Sequence, residues 1–187
     1  RACHVPTHKG DVVMLDVGAN VEASSDVLLQ FAKLGAAYVK SVFGVDLPEV
    51  ALLNIGEEAL KGTEELKNAV SIFSDCSHFA FVGNKEPYDV FTRQADVFVT
   101  NGFSGNLFIK TCEAMSRHIL GALGKKYPEL SFSDIVGEGS GAIVLGVNRL
   151  LVKCHGAAST NAIQQALLRT KQRLKQDVIT KIQSHLG

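Results

Sequence analysis

Residues 12–20 read VVMLDVGAN, a short apolar run that ends in a glycine turn, and this arrangement decides the fold. It returns four times, as VALLNIGEE, FAFVGN, DVFVTNG and LLVKCHG, at residues 50–58, 79–84, 96–102 and 150–156. Runs that are apolar throughout, rather than alternating, are typical of strands in a parallel sheet that helices cover on both faces. We therefore predict a largely parallel sheet.

Helical patterns separate these strands. Apolar residues recur at helical spacing over residues 24–43, 63–74 and 105–123, and Ser24, Ser25 and Asp26 are candidate caps for the first helix. A last helix over about 160–185 places one apolar stripe on one face, formed by Ile163, Leu167, Leu174, Val178 and Ile182. Alternating strands and helices predict an α/β fold with right-handed crossovers.

The chain is interpreted as one α/β domain over residues 1–187, a length that suffices for one sizeable core. Residues 124–138 break the pattern and are interpreted as a surface excursion rather than a domain boundary. The chain begins at Arg1 without a methionine and enters a strand almost at once, so we expect it to be a fragment.

The composition argues against a protein that attracts nucleic acid through its net charge or crosses a membrane. The 19 basic and 19 acidic residues leave no whole-chain field that would attract nucleic acid or an anionic membrane. We interpret the one basic cluster as a solvated helix face; its members are Arg169, Lys171, Arg173 and Lys175. No apolar run reaches the roughly 18 residues of a membrane span, and no signal peptide is evident.

Four scattered cysteines, without a Cys-x-x-Cys pair, indicate reduced and mostly buried thiols in a cytoplasmic protein. They are Cys3, Cys76, Cys112 and Cys154. The spacing of the histidines and cysteines predicts no metal site.

The strongest candidate site is the turn NGFSGN at residues 101–106. Ligands of open parallel sheets collect where strands end and helices begin, and helix N-termini favour anions. Two glycines, a hydroxyl and an amide could enclose a small oxyanion, although glycines that serve only the fold are as good an explanation. The candidate residues are Asn101, Gly102, Ser104, Gly105 and Asn106.

A second candidate lies in the loop that begins with NIGEE at residue 54. Lys61 stands just before the helix expected at Thr63, where an ammonium could hold phosphate as a point charge. The alternative is a solvated lysine paired with Glu57 or Glu58.

Two further segments are weaker candidates. The glycine-rich residues 137–142 would suit either a ligand or an abrupt strand start. His155 ends a strand and is a candidate substrate contact. A nucleophilic pair of Cys154 and His155 is disfavoured because adjacent strand residues point to opposite faces.

Taken together, the segments resemble the bacterial phosphate acyltransferases of phospholipid synthesis, the PlsX family. The residues that carry the resemblance are LDVGANV at 15–21, LLNIGEE at 52–58, FVGN at 81–84 and NGFSGN at 101–106, with Lys61-Gly62 and Lys153-x-His155-Gly156. The resemblance implies transfer of a fatty acyl group from acyl carrier protein to inorganic phosphate, without a cofactor. It also implies a three-layer α/β/α fold similar to the isocitrate and isopropylmalate dehydrogenases, and a homodimer that contacts the membrane peripherally on its cytoplasmic side. Family members carry a further N-terminal segment, so we expect this chain to be the C-terminal portion of a longer protein.

The resemblance also assigns roles. Lys61 would bind phosphate, while Asn106 and the turn N–H groups would donate to phosphate or to the thioester carbonyl oxygen. His155 would contact the same site. The predicted substrate-binding residues are Gly56, Asn101, Gly102, Ser104 and Gly105.

This sequence departs from the family pattern near the proposed site. Asn101 replaces an aspartate, Thr63 an asparagine and Ala157 a serine, while residues 139–142 replace Gly-Gly-Ala-Pro. The excursion over 111–138 is also shorter than usual, which puts the dimer and membrane contacts in doubt.

The apolar stripe of the helix before the excursion has two explanations. It comprises Met115, Ile119, Leu120 and Leu123. The stripe could form a dimer face, but packing into the core is the preferred interpretation.

Two other functions remain open. One is a phosphotransacetylase-like enzyme that uses acyl coenzyme A, which a requirement for the carrier protein would distinguish. The other is a non-catalytic module that binds acyl carrier protein, which phosphate binding without product would indicate. A dehydrogenase is disfavoured because the sequence shows neither a nucleotide loop nor metal-binding aspartates.

Overall fold

Seven strands of the described residues form one mixed sheet. The computed structural model describes residues 1–123, 126–127, 141–154, 156 and 158–186. The strands are β1 (Ala2–Val5), β2 (Val12–Leu15), β3 (Glu49–Leu53), β4 (Ala80–Lys85), β5 (Val97–Val99), β6 (Ala142–Val144) and β7 (Leu151–Lys153). They lie in the order β4-β3-β5-β2-β1-β6-β7.

The sheet is parallel only in its first half. Strands β4, β3, β5 and β2 pair in parallel, whereas β1, β6 and β7 each run antiparallel to their neighbours. The prediction of a largely parallel sheet is therefore wrong for β1, β6 and β7. The short link from Val5 to Val12 closes a hairpin, which requires antiparallel strands. Leu151 and Lys153 are exposed in β7 at the sheet edge, so the last apolar run is not a buried parallel strand.

Six helices connect or flank the described strands. They are α1 (Ser25–Phe43), α2 (Glu64–Ser74), α3 (Pro87–Thr92), α4 (Gly102–Leu123), α5 (Thr160–Lys175) and α6 (Val178–Leu186). Ser24, one of the three predicted candidates, caps α1 by accepting a hydrogen bond from the Val27 N–H. Thr63, where the second helix was expected to begin, caps α2 in the same way by accepting from the Leu66 N–H. Helix α4 begins three residues before its predicted start.

The predicted last helix is two helices. The break falls at Asp177, whose φ of 51° is incompatible with a continuous right-handed helix. Val178 and Ile182 of α6 are buried, but the α5 members of the predicted stripe are exposed. These exposed residues are Ile163, Leu167 and Leu174.

Helices pack on both faces of the sheet. Val13 and Leu15 of β2 face a cluster that includes residues of α1, α2 and α6. Val12 and Met14 point to the opposite face, where Val90 of α3 belongs to the cluster and α4 packs against it. This alternation along one strand explains why the run is apolar at every position.

Arg173 contradicts the interpretation of the basic cluster as a solvated face. It is buried, its Nη2 lies 3.2 Å from His4 Nε2, and its guanidinium stacks 5.8 Å from the centre of the Tyr38 ring. The other ring nitrogen of His4 contacts the Asp11 carboxylate at 3.2 Å. Because guanidinium stems and planes pack well on aromatic rings, Arg173 joins α5 to α1 and β1.

The apolar stripe of α4 is exposed, which contradicts the preferred interpretation that it packs into the core. Met115 is 51% exposed, and Ile119 and Leu123 are 39% exposed, so the stripe does not pack into the core. Helix α4 meets the sheet chiefly through Phe108 and Ile109.

Two further predictions concern the burial of the thiols and the absence of a membrane-spanning segment. All four cysteines are free and half-buried, so the prediction of mostly buried thiols holds only in part. Across the described ranges, no helix combines the length and apolar character needed to cross a membrane.

Candidate active site

The carboxyl ends of the parallel strands meet at one edge of the sheet. Leu15 of β2 and Leu52 of β3 both pair with Val99 of β5, and Leu53 pairs with Lys85 of β4. Neighbouring strands lie about 4.8 Å apart, so the loops that follow them are adjacent. The topology therefore brings the two predicted site segments to the same edge: the loop with Lys61 follows β3, and the turn before Asn106 follows β5.

The turn after β5 does not offer its backbone N–H groups to a ligand. The Gly102 and Phe103 N–H groups donate to the carbonyl oxygens of Asn20 and Val21, at 2.7 and 3.4 Å. The Ser104 N–H donates to the Asn101 side chain at 2.8 Å. The Gly105 N–H donates to the Asn101 carbonyl oxygen at 3.0 Å.

These four N–H groups are thus bonded within the chain, and the predicted anion cradle of backbone donors is wrong for them. Asn101 acts as the N-cap of α4. Its amide oxygen does what an aspartate oxygen would do, so the departure from the family pattern at this position preserves the cap. The donors that remain near the turn belong to side chains.

Gly102 and Gly105 are required by packing. A Cβ atom at Gly105 would overlap the carbonyl oxygen of Asp16, and one at Gly102 would overlap the carbonyl oxygen of Asn20. The first turn of α4 therefore rests directly on the loop after β2. Only glycine allows this approach, which gives the glycine pattern a structural reason.

Two exposed polar side chains of the first turns of α4 are free to face a ligand. They belong to Ser104 and Asn106. The Asn106 side chain lies over Gly18, because a Cβ added there would be 3.1 Å from Asn106 Cγ. Gly18 has a φ of 104°, which also favours glycine.

The Lys61 loop is held by two buried asparagines at the ends of β3 and β4. Asn54 Nδ2 donates to the Lys61 carbonyl oxygen at 2.9 Å, and Asn84 Nδ2 donates to the Glu58 carbonyl oxygen at 2.9 Å. Asn84 Oδ1 is buried and has no hydrogen-bond partner within the described part of the chain. The backbone that carries Lys61 is therefore fixed, although its side chain is exposed.

The Lys61 ammonium forms no hydrogen bond or ion pair with the described residues. Glu57, one of its expected partners, instead pairs with Lys85 at 2.9 Å. A Cβ at Gly56 would lie 3.2 Å from Lys61 Cγ and 2.8 Å from Glu58 Oε2, so the glycine leaves room for both side chains. Lys61 is thus a cation on a fixed loop at the carboxyl edge of the sheet.

Some predicted residues lie outside the described ones. They are His155, Ala157 and residues 137–140. Within the described ranges, no group of three or more histidine, cysteine, aspartate or glutamate side chains could hold a metal ion.

Comparison with protein families decides the affiliation of the chain. The model of a family described as "Fatty acid synthesis protein" matches residues 2–135. The chain belongs to this family.

Relatives in the fatty acid synthesis family agree with the resemblance seen in the sequence. A protein named "Phosphate acyltransferase" from Neorickettsia sennetsu is 37% identical over 201 residues, covering 95% of this chain and 59% of the relative. One of the same name from Heliobacterium modesticaldum is 38% identical over 206 residues, covering 97% and 59%. The resemblance to phosphate acyltransferases is confirmed, and the chain spans about three fifths of the length of these curated relatives.

Solved structures show the fold of this family member. The EutD phosphotransacetylase from Staphylococcus aureus matches with a TM-score of 0.59 at 16% identity, covering 97% of this chain and 53% of that one. A branched-chain phosphotransacylase from Enterococcus faecalis V583 matches with a TM-score of 0.59 at 15% identity, covering 91% and 63%. The shared feature is the fold: an α/β arrangement around a mixed, partly parallel sheet.

Four residues that shape the candidate site were not predicted from the sequence: Asp16, Gly18, Asn54 and Asn84. Asp16, Asn54 and Asn84 are polar, yet each is buried at or just after the end of an apolar strand. A polar residue at the end of an apolar strand could have identified these three positions in the sequence, because buried polar side chains normally make hydrogen bonds.

Proposed function

We propose that this chain carries the phosphate-binding and acyl-transfer groups of an enzyme that moves a fatty acyl group from acyl carrier protein to inorganic phosphate. The observation that supports it most is the Lys61 ammonium, which has no partner among the described residues and lies on a fixed loop at the same end of the sheet as the Asn106 segment. Membership of the fatty acid synthesis family and similarity to proteins named phosphate acyltransferase agree with this reaction.

The chemistry needs no protein nucleophile. A phosphate oxygen attacks the thioester carbonyl carbon, the oxyanion forms, and the carbon–sulfur bond breaks to release the carrier thiolate. The products are acyl phosphate and free carrier. The site must hold phosphate against the thioester and stabilise the negative charge that develops on oxygen.

The available donors divide these tasks. Lys61 holds phosphate as a flexible point charge, which its exposed position allows. Since the first N–H groups of α4 are bonded within the chain, Asn106 Nδ2 and the Ser104 hydroxyl supply the nearby hydrogen bonds to phosphate or to the oxyanion. His155 stays a predicted third contact.

The remaining expectations about the whole protein stay predictions. They include the single domain, the relation to the isocitrate and isopropylmalate dehydrogenases, a cytoplasmic location and the peripheral membrane contact. We propose that a second copy of the chain covers the exposed stripe of α4, because solvent-exposed apolar faces of this kind mark interaction surfaces. Met115→Glu should then lower the dimer fraction in sedimentation experiments; an unchanged dimer would contradict this assignment.

The experiment is a comparison of carriers with the intact protein. Acyl phosphate formation is measured with long-chain acyl carrier protein and with the matching acyl coenzyme A, in the presence and absence of phosphate. We expect phosphate-dependent product with the carrier protein. Product with coenzyme A alone would favour the phosphotransacetylase alternative, and phosphate binding without product would favour the binding module.

A further inference from the structure

The carboxylate of Asp16, at the end of β2, is completely buried and surrounded by N–H donors. Its Oδ1 atom lies 2.8 Å from the backbone nitrogen of Arg1 and accepts from the Ala19 N–H at 3.1 Å. Its Oδ2 atom accepts from the Ala19 N–H at 3.1 Å, from the Asn20 N–H at 2.7 Å and from Asn20 Nδ2 at 3.4 Å. The side chain therefore folds the five residues 16–20 into one turn around itself.

This turn is the support on which α4 begins. The Asn20 carbonyl oxygen accepts the Gly102 N–H, and a Cβ at Gly102 would lie 2.8 Å from Asp16 Oδ2. A Cβ at Gly105 would overlap the Asp16 carbonyl oxygen. The start of the helix is thus set by Asp16 and the turn that it organises.

The same turn also seats the Asn106 side chain. Gly18 lies at its centre, directly beneath the amide, where an added methyl group would be 3.1 Å from Asn106 Cγ. Both the backbone position and the side-chain seat of Asn106 therefore depend on one turn, and that turn depends on one carboxylate.

We propose that Asp16 is a positioning residue that holds the Asn106 amide in its working geometry, an assignment that rests on the proposed function. Asp16 does not touch the reacting atoms; it acts through the turn. Asparagine at this position has nearly the same shape, but either orientation of its amide would place an NH2 group against at least two N–H donors. The turn should then open, and Asn106 should move.

The test uses Asp16→Asn in the intact protein, with Asp96→Asn as the matched control. Asp96 also accepts hydrogen bonds, from the Glu49 N–H at 3.0 Å and from Arg93 at 3.1 Å. It directly precedes β5, however, and so lies at the opposite end of the strands from Asp16. We expect Asp16→Asn to lower acyl phosphate formation roughly 100-fold, as for a displacement of about 1 Å, and Asp96→Asn to leave it near the wild-type rate. In an Asn106→Ala background, Asp16→Asn should add less than about a 3-fold loss, because the group that it positions is gone.

A readout that does not need activity separates this proposal from the proposed function. In protein labelled with ¹⁵N-asparagine, the Asn106 side-chain signal should shift in Asp16→Asn and stay in place in Asp96→Asn. An unshifted signal, or activity losses that multiply in the double variant, would overturn the positioning role. If wild-type protein makes no acyl phosphate, the proposed function fails while the amide signal still decides this inference.

Gly18→Ala covers the case in which Asp16→Asn does not fold. The added methyl group intrudes on the seat of Asn106, and because Gly18 has a φ of 104° it also strains the turn that holds this amide. The Asn106 signal should shift and acyl phosphate formation should fall at least 10-fold; an unshifted signal with wild-type activity would show that the turn does not position the amide.

Discussion

Replacing Gly105 with alanine tests whether the start of α4 is fixed by backbone packing. The new Cβ would overlap the Asp16 carbonyl oxygen and lie 2.9 Å from Thr100 Cγ2. Since a backbone carbonyl in this turn cannot rotate away, we place the overpacking cost near the upper end of its usual range, about 3 kcal/mol. Alanine recovers about 1 kcal/mol of helix propensity, which leaves a net destabilisation of about 2 kcal/mol.

For a chain of this size, that loss corresponds to a fall in Tm of roughly 4–8 °C, measured by circular dichroism. Gly121→Ala is the matched control, because Gly121 lies in the same helix and an added Cβ there has nothing within 4 Å. It should raise Tm by roughly 2–4 °C. If Gly105→Ala unfolds at or above the wild-type temperature, the close approach of α4 to the β2 turn is not a constraint, and the reasoning fails.

Two further predictions concern titratable groups away from the site. The hydrogen bond from His4 lowers the pKa of Asp11, so this carboxylate stabilises the fold above its unfolded pKa of about 3.9 and the contribution is lost as pH falls through the lower, folded value. Asp11→Asn should therefore be less stable than wild type at pH 7 in urea unfolding, with a smaller difference at pH 3; an equal difference at both pH values would contradict the assignment. Burial raises the pKa of the Cys3 thiol to about 12, so Cys3 should be alkylated much more slowly at pH 8 than Cys76 when peptides are followed by mass spectrometry. Equal labelling rates would show that Cys3 is not shielded.

The sequence was most informative where local signals and tertiary packing agree. The runs after residues 12 and 50 are apolar at every position because helices cover both of their faces, so they predicted the parallel half of the sheet correctly. Ser24 could be predicted as a cap, and Thr63 as the start of a helix, because both depend on the residues that directly follow.

Other features depend on distant partners and could not be predicted. Arg173 carries a charge in a basic run, yet it is buried because a tyrosine and a histidine from remote segments receive it. Met115 has the spacing of a core residue, but the helix that carries it meets the sheet through a different face. No periodicity in one segment shows which other segment will cover it.

The candidate site was predictable in its parts but not in its chemistry. Lys61 and Asn106 were predicted as site residues and stay predictions, and the strand order brings their segments to the same end of the sheet. The glycines around Ser104 were expected to expose N–H groups to an anion. Their N–H groups bond the turn after β2 and the Asn101 cap instead, because that turn approaches the helix closely enough to accept them.

The proposed acyl transfer is tested most directly by acyl phosphate formation with the intact protein and its Lys61→Ala variant. Long-chain acyl carrier protein is incubated with and without phosphate, and acyl phosphate is trapped with hydroxylamine. We expect phosphate-dependent product from wild type, loss of that product in folded Lys61→Ala, and full product from the control Lys181→Ala, which removes an exposed lysine of α6. A fully active Lys61→Ala protein would contradict the role of Lys61, and a folded intact protein without product would contradict the acyltransferase.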